Sequence, residues 1–221
     1  MILAIDTTHE FGSIALLSDG ELLEEVLLHA ENGFGQVLFG HLAQVLDRHG
    51  CRLREIDCFA AAAGPGSFTG VRVGLACVKG LAEANGKRVV AVSNLQALAA
   101  LGTAPLRATV LDARRGEVYG AVYDAELNPV AAETVMPFPG WLETLPSGAL
   151  EFISTDFSPF RAALFGTAFE TTPIVETPRA LAAGIARIAE MKFRRGLAAD
   201  PAEVDANYVR RSDAELFWKE S

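Results

Sequence analysis

Three glycines, a proline and two hydroxyls stand together in Gly64-Pro65-Gly66-Ser67-Phe68-Thr69-Gly70, between an apolar strand pattern and a helical one. Such a loop brings backbone N–H groups close to an anion or to another chain. Glycine accepts positive φ and carries no Cβ, and a helix N-terminus leaves unpaired N–H groups with partial positive charge. Gly66 and Ser67 are therefore candidate phosphate contacts. Two carboxylates offer related chemistry. Asp6 ends the apolar run Ile2-Leu3-Ala4-Ile5 and is followed by Thr7; Asp112 ends Ala108-Thr109-Val110-Leu111. Facing each other across a cleft, they could hold Mg²⁺ or a nucleotide phosphate. The competing reading is local: Ser67 or Thr69 caps the following helix, and each Asp caps its own loop.

Counting removes the common phosphate motifs. A Walker A loop needs Lys then Ser or Thr after its last glycine, whereas Val71 and Arg72 follow Gly70. A dinucleotide fingerprint needs G-x-G-x-x-G and an acid at the end of the next strand; here the spacing is G-x-G-x-x-x-G and that strand ends in Ser93-Asn94. His9, His29, His41 and His49 form neither H-E-x-x-H nor H-x-x-x-H, so no helical zinc pair is expected. There is no G-x-S-x-G. Arg210 and Arg211 read as solvated surface charge, with anion contact as the alternative.

The elements that must position these residues follow from hydrophobic periodicity. The chain opens strand, Asp loop, hairpin: Ile2 to Ile5, then Ser13 to Leu17 and Leu22 to Leu28 around Ser18-Asp19-Gly20. A helix is expected over Phe34 to Arg48, stopped by Gly50. A strand over 57–63, a helix over 70–84, a strand over 89–92 and a helix over 95–101 follow. The opening pattern then recurs. Asp112 is followed by strands over 118–123 and 130–135, about 106 residues after their counterparts. A further amphipathic helix is expected over 179–193, started by Thr177-Pro178. A duplicated α/β unit with helix-covered mixed sheets fits this order, which is the two-lobed actin-like and sugar-kinase-like architecture. The division expected is an N-terminal lobe over 1–103 and a C-terminal lobe over 104–221.

The 221 residues are 50% hydrophobic, enough for a sizeable core, and carry a net charge of −9. Without a basic tract, unaided binding to a nucleic-acid backbone is disfavoured. The start reads as a strand rather than a signal peptide, and no apolar run approaches membrane-spanning length. Cys51, Cys58 and Cys77 form no C-x-x-C and read as reduced thiols of a cytoplasmic protein.

Two helices look like a contact surface. After the Gly loop, Gly70/Gly74 and Ala76/Gly80 are i, i+4 pairs on shared faces. Glycine inside a helix costs about 1 kcal/mol against alanine, so close approach of another backbone is the expected compensation. The first helix carries Leu38, Leu42, Val45 and Leu46 in one apolar row, widened by Phe34, Val37, Phe39 and Ala43. That excess suggests a patch covered by a second protein, with internal packing as the alternative. Phe34, Leu38, Phe39, Leu42, Gly70, Val71, Gly74 and Ala76 are the expected contact residues.

Ile2-Leu3-Ala4-Ile5-Asp6-Thr7, the run Gly64 to Gly74, Asp112-Ala113-Arg114-Arg115-Gly116-Glu117-Val118-Tyr119, Val92-Ser93-Asn94-Leu95 and Tyr208-Val209-Arg210 together resemble the bacterial TsaB (YeaZ) family, in matching order over essentially the full length. The resemblance implies a duplicated α/β fold of the actin/Hsp70 (ASKHA, ribonuclease H-like) class. It implies a non-catalytic subunit that binds and activates TsaD, with TsaE as third member, for threonylcarbamoylation of adenosine 37 in tRNAs reading ANN codons. It further implies contact through the first two helices, homodimerisation through them when TsaD is absent, and only indirect contact with tRNA. No cofactor of its own is implied beyond ATP or ADP at the partner junction. The chain departs from the family at Phe34-Gly35, where His followed by Ser or Thr is usual, and at Gly40 in place of Pro. The rival expectation is an independent hydrolase, either a glycoprotease-like peptidase or a nucleotide hydrolase.

Overall fold

The computed structural model describes residues 1–30 and 33–210, and these form two compact units. Unit 1 comprises Met1–Ala97 with Pro178–Asn207; the described part of unit 2 runs over Leu98–Thr177 with 208–210.

Unit 1 is a five-stranded mixed sheet. β1 (Ile2–Asp6), β2 (Phe11–Ser18) and β3 (Glu21–His29) form an antiparallel meander; β4 (Cys58–Ala62) and β5 (Arg88–Val92) extend it in parallel, giving the order β3-β2-β1-β4-β5. The β2–β3 hairpin turns through Asp19 and Gly20, with φ of 50° and 83°, the left-handed pair that matches strand twist. α1 (Leu38–Arg48), entered through a 3₁₀ turn at Phe34–Gln36, and α2 (Phe68–Asn85) cover one face of the sheet. Leu38, Leu42, Val45 and Leu46 meet Val71, Leu75 and Val78 over Leu3, Ile5, Ile14, Leu16 and Phe59. The alternation of these strand positions is the period-2 signature of a face. α3 (Asn94–Ala99) follows β5.

Unit 2 repeats the plan. β6 (Leu106–Asp112), β7 (Glu117–Tyr123) and β8 (Pro129–Pro137) form the meander; β9 (Leu150–Ser154) and β10 (Ile174–Glu176) run parallel, in the order β10-β9-β6-β7-β8. The repeat read from the two Asp loops is therefore a repeat of topology, and the fold is the duplicated α/β class of the actin/Hsp70-like proteins. The core is aromatic: Phe138 and Trp141 of α4 (Phe138–Leu142) pack with Phe152, Phe157 and Phe160 at ring separations of 5.0–6.4 Å. Gly120 lies under Trp141, where a Cβ would come within 2.4 Å of the indole.

α5 (Ala182–Arg194) corrects the expected division. The sequence pattern places residues 178–207 in the C-terminal lobe; the structure places them in unit 1. α5 packs on β1, β2, β4 and β5, with Ile185 and Ile188 buried, on the face opposite α1 and α2. Its N-terminus is satisfied by distant side chains rather than by Thr177-Pro178. Ser13 Oγ accepts from Leu181 N at 3.1 Å and Ala182 N at 3.0 Å, and Glu25 Oε1 accepts from Ala183 N at 2.7 Å. Burial pushes the Glu25 carboxyl up, opposed by the bond from Ala183. The segment after α5 also closes a sheet edge: Val89 and Ala199 exchange backbone bonds of 3.0 and 2.8 Å beside β5.

Burial sets the cysteine chemistry. It pushes the Cys58 thiol up to about 12 and that of Cys77 to about 11, and also raises half-buried Cys51, with Glu55 adding to the effect there. The thiolate is the reactive form. Iodoacetamide at about pH 8 is therefore expected to modify Cys51 in the native protein and Cys58 and Cys77 only after unfolding. Peptide mass spectrometry checks this; native labelling of Cys58 at the Cys51 rate would refute the burial argument. Among the described residues no helix is long and apolar enough to cross a membrane.

Candidate functional site: the Gly loop, the Asp loops and the outer helix faces

In unit 1 the Gly loop folds onto the loop after β1. Asp6 is 1% exposed, and its Oδ1 accepts from Thr8 N at 2.9 Å and Thr8 Oγ1 at 2.7 Å. Asn94 Nδ2 donates to the same Thr8 hydroxyl at 2.6 Å, and Asn94 Oδ1 accepts from Gly64 N at 3.2 Å. Because the one Thr8 hydroxyl proton goes to Asp6, His9 Nδ1, at 2.8 Å, must be the donor to that oxygen. Ser67 N donates to Thr8 O at 2.7 Å, and Ser67 Oγ accepts from Gly70 N at 3.3 Å as the N-cap of α2. Asp6, Thr7, Gly66 and Ser67 thus lie on two adjoining loops that the chain's own hydrogen bonds tie together. A Cβ on Gly66 would sit 2.5 Å from Thr8 O.

The glycine-spaced helix is explained by the same loop. A Cβ on Gly70 would lie 2.1 Å from Thr7 O, and one on Gly74 2.7 Å from Thr7 Oγ1. Thr7 Oγ1 donates to Gly70 O at 2.7 Å. Close approach of a backbone is therefore real, but the backbone is the chain's own, and Gly70 and Gly74 are corrected as partner contacts. Phe34, Leu38, Leu42 and Val71 are corrected too. They are 1–6% exposed and form the core beneath α1 and α2, because the widened apolar row is consumed by the sheet. Phe39 is 58% exposed, and Ala76 is exposed with it. Small exposed residues accompany these two, Gly40 and Ala43 on α1 and Gly80 and Ala84 on α2, interspersed with exposed polar ones such as Gln44, Arg72 and Glu83, and a Cβ at Gly40 or Gly80 would meet nothing within 4 Å. Gly40 and Ala84 extend a surface that the sequence pattern outlined at Phe39, Ala43, Ala76 and Gly80.

Asp112 stands in unit 2 at the end of β6, the position Asp6 holds on β1. It is exposed; Oδ1 accepts from Arg114 N at 2.8 Å and Oδ2 faces Arg114 Nη1 at 3.6 Å. With Arg114, Arg115 and Gly116 it lines a groove of about 370 Å³ together with Phe138, Pro139, Pro159, Phe160 and Ala163. Arg210 is held within the protein rather than solvated. It donates to Ala113 O at 2.8 Å, pairs with Glu117, and lies over the Tyr119 ring. Arg211 falls outside the described residues. Among the described residues no three His, Cys, Asp or Glu side chains converge as metal ligands.

Comparison with known proteins places this geometry. The family model for TsaD, tRNA N6-adenosine threonylcarbamoyltransferase, matches residues 29–209. The tRNA threonylcarbamoyladenosine biosynthesis protein TsaB of Bacillus subtilis (strain 168) is 30% identical over 233 residues, covering 100% of this chain and 98% of that protein. The solved structure of YeaZ from Pseudomonas aeruginosa superposes with a TM-score of 0.76 at 29% identity, over 94% of this chain and 98% of that one. A second Pseudomonas aeruginosa structure, described by its similarity to peptidase YEAZ, gives 0.76 at 28% identity, over 95% and 99%.

Proposed function

From the premise that the chain belongs to the TsaD-related family, and within it to the TsaB (YeaZ) proteins of tRNA threonylcarbamoyladenosine biosynthesis, we propose that it is a non-catalytic cytoplasmic subunit that binds and activates TsaD for threonylcarbamoylation of adenosine 37 in tRNAs reading ANN codons. The observation that carries this reading is the outer side of α1 and α2, where Phe39, Gly40 and Ala43 on one helix and Ala76, Gly80 and Ala84 on the other are exposed, the two helices sharing one sheet face. Small residues there let a partner helix approach closely, and Phe39 supplies an aromatic anchor. The same surface would pair two copies of the chain when TsaD is absent. TsaE joins the assembled pair, ATP or ADP is held at the junction rather than by this chain alone, and tRNA is met through the partners.

The unit 1 loops support a supporting rather than a catalytic role. Asp6, the Ser67 N–H and the Ser67 hydroxyl all have internal partners.

Reconstitution tests the proposal. The chain should co-elute with TsaD and raise modification of unmodified tRNA in the presence of TsaE, ATP and the threonylcarbamoyl donor, while showing no turnover alone. Failure to bind TsaD, or peptide or nucleotide hydrolysis by the isolated chain, would overturn it.

A further inference from the structure

Asn85 and Gly86 close α2, and Asn before Gly is the order that deamidates most readily in an open chain. The glycine nitrogen attacks the Asn side-chain carbon, because no Cβ on the glycine stands in its path. The Gly86 N–Cγ bond forms, the Cγ–Nδ2 bond breaks, and ammonia leaves with the proton that Gly86 N gives up. Water then opens the five-membered imide at either carbonyl, leaving aspartate or β-linked isoaspartate. Water is the sole reactant consumed, and the net result is one more negative charge.

The closed helix end opposes each part of this step. Gly86 stands at φ 62° and ψ 38°, the left-handed closing position that glycine takes without strain. The attacking group is engaged, since Gly86 N donates to Glu83 O at 3.2 Å, and Lys87 N donates to Ala82 O at 2.9 Å beside it. The leaving group is engaged too, since Asn85 Nδ2 donates to Leu81 O at 2.8 Å. Asn85 is the last helical residue, and helical ψ holds the next nitrogen out of line with Cγ. The protection is nevertheless local. Glu83, Ala84 and Gly86 are exposed and Asn85 is half-buried, and helix ends open at far lower free energy than a core does. The bonds that stop the reaction are the ones lost when this turn frays.

Neither product restores the turn. Aspartate has no amide donor for Leu81 O, and its charge falls at a helix C-terminus, where the macrodipole is already negative, two residues from Glu83. In isoaspartate the main chain runs through Cβ, so one extra carbon shifts Gly86 N and Lys87 N off Glu83 O and Ala82 O. We propose that Asn85 is a gated modification site: silent while the last turn of α2 is closed, converted when that turn opens, and closing less firmly once converted. The site does not depend on the partner assigned to the outer face of the helix.

Peptide mapping of the full chain tests it. Trypsin cleavage after Lys79 and Lys87 releases Gly80–Lys87, which holds Asn85 and no other amide side chain and is separate from the chain's other Asn-Gly pair, Asn32-Gly33. At mildly alkaline pH the folded chain should convert Asn85 at least about tenfold more slowly than the urea-unfolded chain or the synthetic peptide Gly80–Lys87. Isoaspartyl methyltransferase with labelled S-adenosylmethionine separates the β-linked product from aspartate. Ala84→Gly, at an exposed position of the last turn, should quicken conversion in the folded chain about three- to fivefold and leave the matching peptide unchanged. Asn85→Asp, which mimics one product, should lower the melting temperature by about 1–3 °C. Equal rates in the folded chain and the peptide, no conversion in the unfolded chain, or a parental rate in folded Ala84→Gly would overturn the proposal; an unchanged melting temperature in Asn85→Asp would remove the weakened closure from it.

Discussion

Gly70→Ala is expected to lower the melting temperature by roughly 5–10 °C, while the same change at Gly80, on the same helix, raises it by about 2–4 °C. The two glycines have the same propensity cost and opposite surroundings. At Gly70 the new methyl would lie 2.1 Å from Thr7 O and 3.1 Å from its carbonyl carbon. Both atoms are backbone, and Thr7 cannot retreat, because it is 1% exposed and continues directly from β1, every residue of which is buried. Overpacking against a fixed backbone costs about 1–3 kcal/mol and more where nothing can give. At Gly80 a Cβ would meet nothing within 4 Å, so alanine contributes its helix preference of about 1 kcal/mol without a clash. Thermal melts followed by circular dichroism compare the two. Equal effects of the two substitutions would contradict the assignment of Gly70 to intrachain packing.

The second large effect concerns the complex and leaves the monomer alone. Ala76→Arg and Gly80→Arg are each expected to weaken binding to TsaD by about 30-fold or more, some 2–4 kcal/mol, with the melting temperature of the free chain lowered by no more than about 2 °C in either variant. Both positions are exposed, so an arginine costs the free chain little. In the complex it would have to be buried at a close helix contact, where a charge without a partner is expensive. Phe39→Ala should act in the same direction by removing the anchor. Gly74→Arg is the wrong probe: its Cβ would already be 2.7 Å from Thr7 Oγ1, so it would disrupt the monomer and report nothing about the interface. Sedimentation or biolayer interferometry against TsaD gives the readout. Undiminished affinity in both arginine variants would move the contact elsewhere.

Local signals in the sequence carried far. Strand, Asp loop and hairpin were readable twice because each strand is short, apolar and closed by turn residues, and the two sheets indeed share one order. Ser67 as N-cap and Gly50 as helix stop were readable because capping is a property of adjacent residues. What escaped was every fact that joins distant positions. The partner of Gly70 and Gly74 is Thr7, over 60 residues upstream, and glycine spacing says that something comes close without saying what. The apolar rows of α1 overcounted exposure because helical periodicity does not reveal how wide a sheet the helix must cover. The return of α5 to unit 1 depends on Ser13 and Glu25 meeting its first turn, a pairing across more than 150 residues that no local pattern carries. The turn after Asp112 was visible as a motif, and its left-handed backbone at Arg114 and Arg115 was not.

The placement of α5 has a consequence for synthesis. The sheet of unit 1 is complete in sequence once β5 has been made, yet the helix that covers its second face lies about ninety residues further on. At the usual elongation rate of about 5–20 residues per second, that face waits roughly 5–20 seconds on the ribosome with Ile2, Ala4, Ala60 and Val90 uncovered. During this interval the nascent first unit is a ready client for chaperones, and the sheet of unit 2 can form before unit 1 is finished. The last step in folding the first unit thus waits until the sheet of the second has been made, and a stop codon between β5 and α5 would release a chain with a finished first sheet and an open apolar side.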